Sequence, residues 1–260
     1  MKKTQTSELQ NGFTAFISRL CHVDAVREED YQIVTPLLDA ILNAVFQTTE
    51  RFIYVMDHHR DGIMYASEAP LFLGRYSPGD AKEKGFDFIP GRVPPDELLL
   101  LKESILAGQE LVRERANHQL HVARSSHFHL SDGRGRVFLV NHQASPMCYD
   151  REGRIWLVLC TLSLSPYRDA GHIQLFENHE LRYEYSAGEH EWKVATPTSL
   201  TPRQKEVLQY SAQGLDMKEI AQLTCTTLAA VKKLRRSLIN KLEVTNITGA
   251  VSIARQQRMI

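Results

Sequence analysis

AAVKKLRRSLINKL, residues 229–242, sets five basic residues among fourteen. At about 100° per residue, Val231, Leu234, Leu238 and Leu242 fall on one stripe of a helix. Lys232, Lys233, Arg236 and Asn240 fall on the opposite one. Lys241 lies at the edge of the apolar stripe. Arg235 falls inside the apolar arc, between Val231 and Ile239, and has to reach past its neighbours. A helix that merely faces solvent usually interleaves both signs. Here no acid occurs between Glu219 and Glu243. One side of this helix is built for a core and the other for a polyanion.

The charge of the whole chain points the same way. Lys plus Arg and Asp plus Glu both number 31 in the 260 residues. From Leu200 to Ile260 there are ten Lys and Arg against four Asp and Glu, a net +6, which leaves −6 on the first 199 residues. A basic tail on an acidic body predicts that only the tail meets nucleic acid.

Four helices can be read in SLTPRQKEVLQYSAQGLDMKEIAQLTCTTLAAVKKLRRSLINKLEVTNITGAVSIAR. Thr201 caps the first with Gln204 as its capping-box partner, and Gly214 ends it. MKEIAQLT is the short second helix. Thr226 or Thr227 caps the third, LEVTN breaks it, and Asn246 caps the fourth. Two short helices at a tight turn, the second basic and exposed, form a helix-turn-helix. Leu200, Val207, Leu208, Ile220, Val231, Leu238 and Leu242 supply its core.

This segment resembles the LuxR/NarL/FixJ-type DNA-binding domain. The resemblance runs through the opening Leu200, Thr201, Arg203, Glu206, Val207 and Leu208, then Ala212 and Gly214. It continues through Lys218-Glu219-Ile220-Ala221, Val231-Lys232, Lys241-Leu242-x-Val244-x-Asn246, and Ala250, Val251 and Ala254. The pattern departs at Ala230, where Thr is usual, at Leu234, where His is frequent, and at Ile247, where Arg is frequent. The resemblance implies that helix 217–224 lies across the DNA backbone and helix 227–242 enters the major groove. Lys232, Lys233 and Arg236 would then face base edges. Lys218, Thr227, Arg235 and Lys241 are the candidate phosphate contacts, which position without specifying.

The rest of the chain reads as an α+β domain. Thr35 as N-cap and Pro36 at the first helical position open a helix striped by Leu37, Leu38, Ile41, Leu42 and Val45. FIYVMDHH (52–59) and GIMYAS (62–67) form a hairpin. A helix in DELLLLKESILAG ends at Gly108. HVARSSHFHL, RVFLVNHQAS and RIWLVLCTLSLS follow as strands separated by SDGRG and CYDREG. Two early and three late strands predict a five-stranded antiparallel sheet with helices. The last strand, apolar on both faces, belongs inside the sheet.

The segment FHLSDGRGRVFLVNHQASPMCYDREGRIWLVLCTLSLSP resembles the end of a PAS sensor domain. HIQLFENHELRYEYSAGEHEWKV reads as a small β-hairpin connector. The expected organisation is an extension at 1–30, a PAS-like sensor or dimerisation domain at 31–168, the connector at 169–195, and an all-α helix-turn-helix domain at 196–260.

Several chemistries are not supported. Cys21, Cys148, Cys160 and Cys225 form no CxxC pair. His118, His121, His127 and His129 lie close together, but no third ligand stands at a fixed spacing, so they read as polar-face histidines, as do His58 and His59. Asp57 is not in the β/α alternation of a receiver domain. No catalytic triad, phosphate loop or carboxylate pair stands out, so no enzyme and no metal are expected. The longest apolar run, IWLVLCTL, is far short of the roughly 18 residues of a membrane span, and the start, MKKTQTSELQNGFTAF, lacks the unbroken apolar stretch expected of a signal peptide.

The sequence thus predicts a cytoplasmic, sequence-specific transcription regulator that binds double-stranded DNA as a homodimer, with RNA polymerase as a further candidate partner. The PAS-like domain senses or dimerises. No cofactor is expected, and any small ligand there is unidentified. The rival readings are a quorum-type regulator binding an acyl-homoserine lactone, whose Trp/Tyr/Asp pocket set is not found, and a dimeric adaptor that does not bind DNA. The candidate dimer surfaces are the stripe at 37–45 and the segment around Ala250, Val251 and Ala254.

Overall fold

The computed structural model describes residues 12–49, 51–117, 121–196 and 198–260. Helices α1 (Phe13–Cys21) and α2 (Glu28–Gln47) precede the hairpin β1 (Phe52–Asp57) and β2 (Gly62–Ala66). Short helices α3 (Pro70–Leu73) and α4 (Pro78–Lys84), two 3-10 turns and the long α5 (Pro95–Asn117) follow. Then come β3 (Val122–Ser131), β4 (Val137–Tyr149), β5 (Ile155–Leu164), β6 (Ile173–Glu177), β7 (Glu180–Ser186) and β8 (Glu191–Val194). The C-terminal domain is α6 (Pro202–Ala212), α7 (Met217–Leu223), α8 (Leu228–Lys241) and α9 (Ile247–Gln256).

The sheet has eight strands, not five, in the order β2-β1-β5-β4-β3-β6-β7-β8, with all neighbours antiparallel. Its first five strands carry the expected PAS-like arrangement, with β5 inside between β1 and β4. The connector is not a separate hairpin. The outer edge of β3 would otherwise leave a row of unpaired backbone groups. β6 covers it from Val122↔Glu177 to Ser126↔Ile173, and Ile173, Leu175 and Phe176 are buried there.

The turns at SDGRG and CYDREG are built alike. The Asp132 carboxylate accepts from the N–H groups of Arg134 and Arg136, at 2.7 and 3.1 Å, and from Arg136 Nε at 2.6 Å. The Asp150 carboxylate does the same for Glu152 and Arg154, at 2.9 and 2.8 Å, and for Arg154 Nε at 2.8 Å. Both loops are thereby fixed by one buried acid each.

Two helix boundaries differ from the sequence reading. α2 starts at Glu28, not at Thr35. Glu28, Glu29 and Asp30 place three acids on the positive end of the helix, and Asp30 accepts from the Arg27 N–H at 2.8 Å. Pro36 is carried inside the helix. α5 runs through Gly108. A Cβ there would lie 2.6 Å from the Trp192 indole nitrogen. The glycine is therefore a socket for β8, and Trp192 Nε1 donates to the Ser104 carbonyl at 3.0 Å.

One sheet face packs Phe52, Tyr54, Phe128, Leu130 and Leu162 beneath α3 to α5. The other packs Ile53, Val55, Tyr65 and Trp156 against α2. The segment assigned as an N-terminal extension contributes α1, whose Phe16 and Ile17 are buried beside Phe86.

The caps of the C-terminal domain fall where the sequence puts them. Thr201 and Gln204 exchange hydrogen bonds of 3.2 and 3.0 Å. Gly214 takes φ +87° after α6. Thr227, rather than Thr226, caps α8 by accepting from the Ala230 N–H at 3.2 Å. Asn246 caps α9 by accepting from the Gly249 N–H at 2.9 Å. Asp216 caps α7.

Candidate nucleic-acid interface and ligand cavity

α8 is fixed by burial of Val231, Leu238 and Leu242 in one core with Val207, Leu208 and Ile220. That fixes the opposite side outward. Lys232, Lys233 and Arg236 are exposed, and Arg235 is half-buried. Among the described residues none of the four has an ion-pair partner. These cations are free to meet phosphate or base edges.

The other predicted contacts are placed unequally. Lys218 is exposed at the start of α7, and its N–H is held by Asp216 at 2.6 Å. Thr227 uses one lone pair for its cap and keeps its hydroxyl proton. Lys241 donates to the Ser199 carbonyl at 2.5 Å, so part of its donor capacity is spent inside the domain. Ala250, Val251 and Ala254 are buried in the domain core. These three side chains close α9 onto α6 and α8, while their neighbours Ser252 and Arg255 on the same helix are exposed.

The stripe on α2 divides in two. Leu42 is buried, with Leu38 and Val34 partly covered by the sheet. Ile33, Leu37, Ile41 and Val45, four residues apart, remain 73, 60, 48 and 41% exposed.

Between α1, α5 and the concave sheet face lies a cavity of about 530 Å³. Its walls are mostly apolar, with Ile17, Met56, Phe86, Leu101, Phe128 and Val158 prominent. Its polar side chains include Arg124, His142 and Tyr54. The Tyr54 hydroxyl and His142 Nε2 are 2.8 Å apart. Burial, with the Arg124 charge nearby, pushes the His142 imidazole down to about 3. Burial raises the Tyr54 hydroxyl and pushes the Cys160 thiol up to about 12. All three groups are neutral near pH 7.

The histidines do not converge. His127 Nδ1 lies 2.8 Å from Ser165 Oγ, while His129 Nδ1 lies 2.8 Å from Glu97. His58 and His59 pair with the carbonyls of Ile155 and Val23. His118 lies outside the described residues. Among the described residues no group of three His, Cys, Asp or Glu could hold a metal. Asp57 is buried and structural, accepting from the Tyr31 hydroxyl at 2.6 Å and from Trp156 Nε1 at 3.1 Å. No helix among the described residues is long and apolar enough to cross a membrane.

Residues 198–254 match the sequence model of bacterial regulatory proteins of the luxR family. The C-terminal domain belongs to the luxR family. No curated protein matches the chain. Solved structures similar to it include a VqmA dimer of Vibrio cholerae, described as a LuxR-type receptor, at 15% identity over 84% of this chain and 87% of that one, with a TM-score of 0.32. A VqmA–ligand–DNA complex from the same genus matches at 14% identity over the same shares, also with a TM-score of 0.32. A light-oxygen-voltage domain matches 49% of this chain and 87% of its own at 18% identity and a TM-score of 0.36.

The match places a DNA-binding domain of bacterial regulatory proteins at the C-terminal end of the chain. It also gives meaning to the departures in its luxR-family domain. Leu234 and Ile247 are partly buried against the core. These two positions serve the fold of the domain, and the cationic face stands without them.

Two residues that the sequence reading passed over join the luxR-family domain to the sheet. Tyr167 is buried within the core of that domain and bridges to Val244. The Arg168 N–H donates to the Glu243 carbonyl at 2.9 Å. His127 lies edge-on to Tyr167, 4.7 Å between ring centroids, and burial lowers its imidazole to about 3.

That shift makes stability depend on pH. The folded state binds the His127 and His142 protons only near pH 3, and the unfolded chain binds them near pH 6.5. Falling pH therefore favours unfolding from about 6.5 downward, with a slope of up to ~1.4 kcal/mol per pH unit for each histidine. Melting temperatures between pH 7.5 and 5 are expected to fall, and His127→Gln is expected to flatten the slope. An unchanged slope in that variant would remove His127 from the account.

Proposed function

We propose that this chain is a cytoplasmic transcription regulator that binds duplex DNA as a homodimer and holds a small molecule in the cavity of its PAS-like domain. It is a binding protein rather than an enzyme. The observation that carries the reading is the exposed cationic face of α8, without an ion pair among the described residues, on a domain that matches the luxR family. Lys232, Lys233 and Arg236 face base edges in the major groove. Lys218, Thr227, Arg235 and Lys241 lie along the phosphates. The division into a PAS-like body through residue 168, a connector through 195 and a DNA-binding domain from 196 follows the same reading, with strands β6 to β8 serving as both connector and sheet edge.

The test uses the full chain, a duplex drawn from its genomic binding sites, and a scrambled duplex. Log affinity is expected to fall linearly with log salt for both, because bound counterions are released. The genomic duplex is expected to bind at least ~10³-fold more tightly. Loss of salt-dependent binding to both duplexes would favour the adaptor reading, and equal affinity for both would overturn sequence-specific recognition.

The exposed stripe on α2 supports the dimer. Four large aliphatic side chains on one helix face make a contiguous apolar patch of the kind that marks an interface. Leu37→Glu together with Ile41→Glu is expected to give a monomer by light scattering and to weaken operator binding at least ~10²-fold, since one domain reads only a half-site. Neither side chain is buried, so the melting of the monomer fold should change little. A double variant that stays dimeric would move the interface elsewhere.

A further inference from the structure

Arg124 sits on the wall of the cavity with no hydrogen-bond or ion-pair partner among the described residues. It is the second core-facing position of β3 after Val122, in register with Ala144 on β4 and Leu175 on β6. Its side chain is enclosed, yet it keeps surface open to the cavity. The groups around it are the Tyr54 hydroxyl and the Cys160 and Cys21 thiols, with the His142 imidazole close by. None of them is an acid, and all are neutral near pH 7. Among the described residues no carboxylate, and no side-chain hydrogen bond, compensates this guanidinium.

An enclosed charge without a counter-charge is unfavourable. Arg92, also buried, donates through Nη1 to the Phe72 carbonyl at 2.8 Å and lies over the Phe88 ring at 4.4 Å, although its Nε and Nη2 have no partner among the described residues. Arg124 has no such arrangement and instead faces space of ligand size. Pockets of roughly 300–1,000 Å³ hold drug-sized molecules, and this one lies within that range. A guanidinium presents a planar fork of donors matched to a carboxylate or similar oxyanion.

We propose that the cavity takes an amphiphilic anion, with one carboxylate-like group seated on Arg124 and an apolar body against Met56, Phe86, Phe128 and Val158. This rests on the reading of the cavity as a ligand site and names the class of ligand. The bound anion would supply the missing counter-charge. Tyr54 and His142, already paired to each other, line the same wall and offer it neutral polar contacts. A neutral ligand of equal shape would leave the guanidinium unpaired.

The test uses two fluorescent probes of one shape, 8-anilinonaphthalene-1-sulfonate and its neutral parent N-phenyl-1-naphthylamine. The full chain is expected to bind the sulfonate at least tenfold more tightly than the parent. Octanoate, but not octanamide, should displace it. Arg124→Gln and Arg124→Met are each expected to lose at least tenfold in sulfonate affinity and to keep the affinity for the neutral parent, which shows that the cavity is intact. Arg124→Met should melt, without ligand, at or above the temperature of the unsubstituted chain, because it removes an uncompensated charge. If both variants keep the preference for the sulfonate, or lose both probes together, or if the unsubstituted chain shows no such preference, the anion proposal is overturned. If the neutral parent also fails to bind the unsubstituted chain, the cavity is not a ligand site at all, and the broader reading falls with it.

Discussion

Replacing Lys232, Lys233 and Arg236 together by alanine is expected to abolish discrimination between operator and random DNA while leaving the protein folded. All three are exposed on α8, opposite Val231 and Leu238, and none is engaged in an ion pair among the described residues. A base contact of this type is worth ~1–3 kcal/mol. Three on each half-site therefore amount to several kcal/mol, and affinity for the operator should drop by at least ~10²-fold. Residual binding should resemble that of random sequence. Lys218→Ala is the contrast. It should weaken all duplexes about equally and lower the salt slope by roughly one. Removing surface cations usually costs within about 0.5 kcal/mol of stability, so melting curves should nearly superimpose. Titrations at several salt concentrations check both statements. A triple variant that keeps its full preference for operator would show the face to be ordinary solvated surface.

That face was legible in the sequence because its cause is local. The 3.6-residue spacing of Val231, Leu234, Leu238 and Leu242 fixes which side is core, and the cations fall opposite. The same holds for the caps at Thr201, Thr227 and Asn246, which bond within three residues of themselves. The boundaries that failed were decided elsewhere in the chain. Gly108 looks like a helix stop, but its vacancy is filled by Trp192, far along the sequence and brought back by β8. Thr35-Pro36 looks like a helix start, but the three acids at 28–30 begin the helix earlier and the proline is tolerated inside it. The strands at 173–194 are readable as strands. Their pairing with β3 is not, because the open edge they cover exists only once the sheet has formed.

The cavity was half legible. Val122, Arg124, Phe128 and Leu130 share one face of β3 at period two, and an arginine on a core-facing stripe is a signal that can be found by counting. What the sequence could not show is the roof. α1 lies in a stretch that reads as mixed and polar, and only in the structure do Phe16 and Ile17 close over the sheet. The domain junction was hidden for a similar reason. Tyr167 follows the last PAS-like strand and carries no motif, yet its ring completes a core made by residues from 200 onward.

The largest effect on stability is expected from that ring. Tyr167→Ala should cost ~3–5 kcal/mol, the range for deleting a large buried aromatic side chain. Three contacts are lost together. The ring stacks on His172 at 3.8 Å between centroids and 10° between planes. It receives the edge of His127, and its hydroxyl accepts from Gln174 Nε2 at 3.2 Å. Its position also sets the backbone bridge to Val244 and the neighbouring Arg168–Glu243 bond, so the loss should fall on the junction rather than on one domain alone. The variant is accordingly expected to unfold with the luxR-family domain melting earlier and separately from the sheet domain, where the unsubstituted chain melts with the two more closely coupled. Tyr167→Phe keeps the stacking and gives up the hydroxyl, so it should cost only about 1 kcal/mol and keep the coupling. Calorimetry of the three proteins, with tryptophan fluorescence at Trp156 and Trp192 reporting the sheet domain alone, separates the transitions. β3 then has a double role, because Arg124 on one face lines the cavity and His127 on the other touches Tyr167. If Tyr167→Ala melts in the same way and at the same temperature as the unsubstituted chain, the ring is not what joins the two domains.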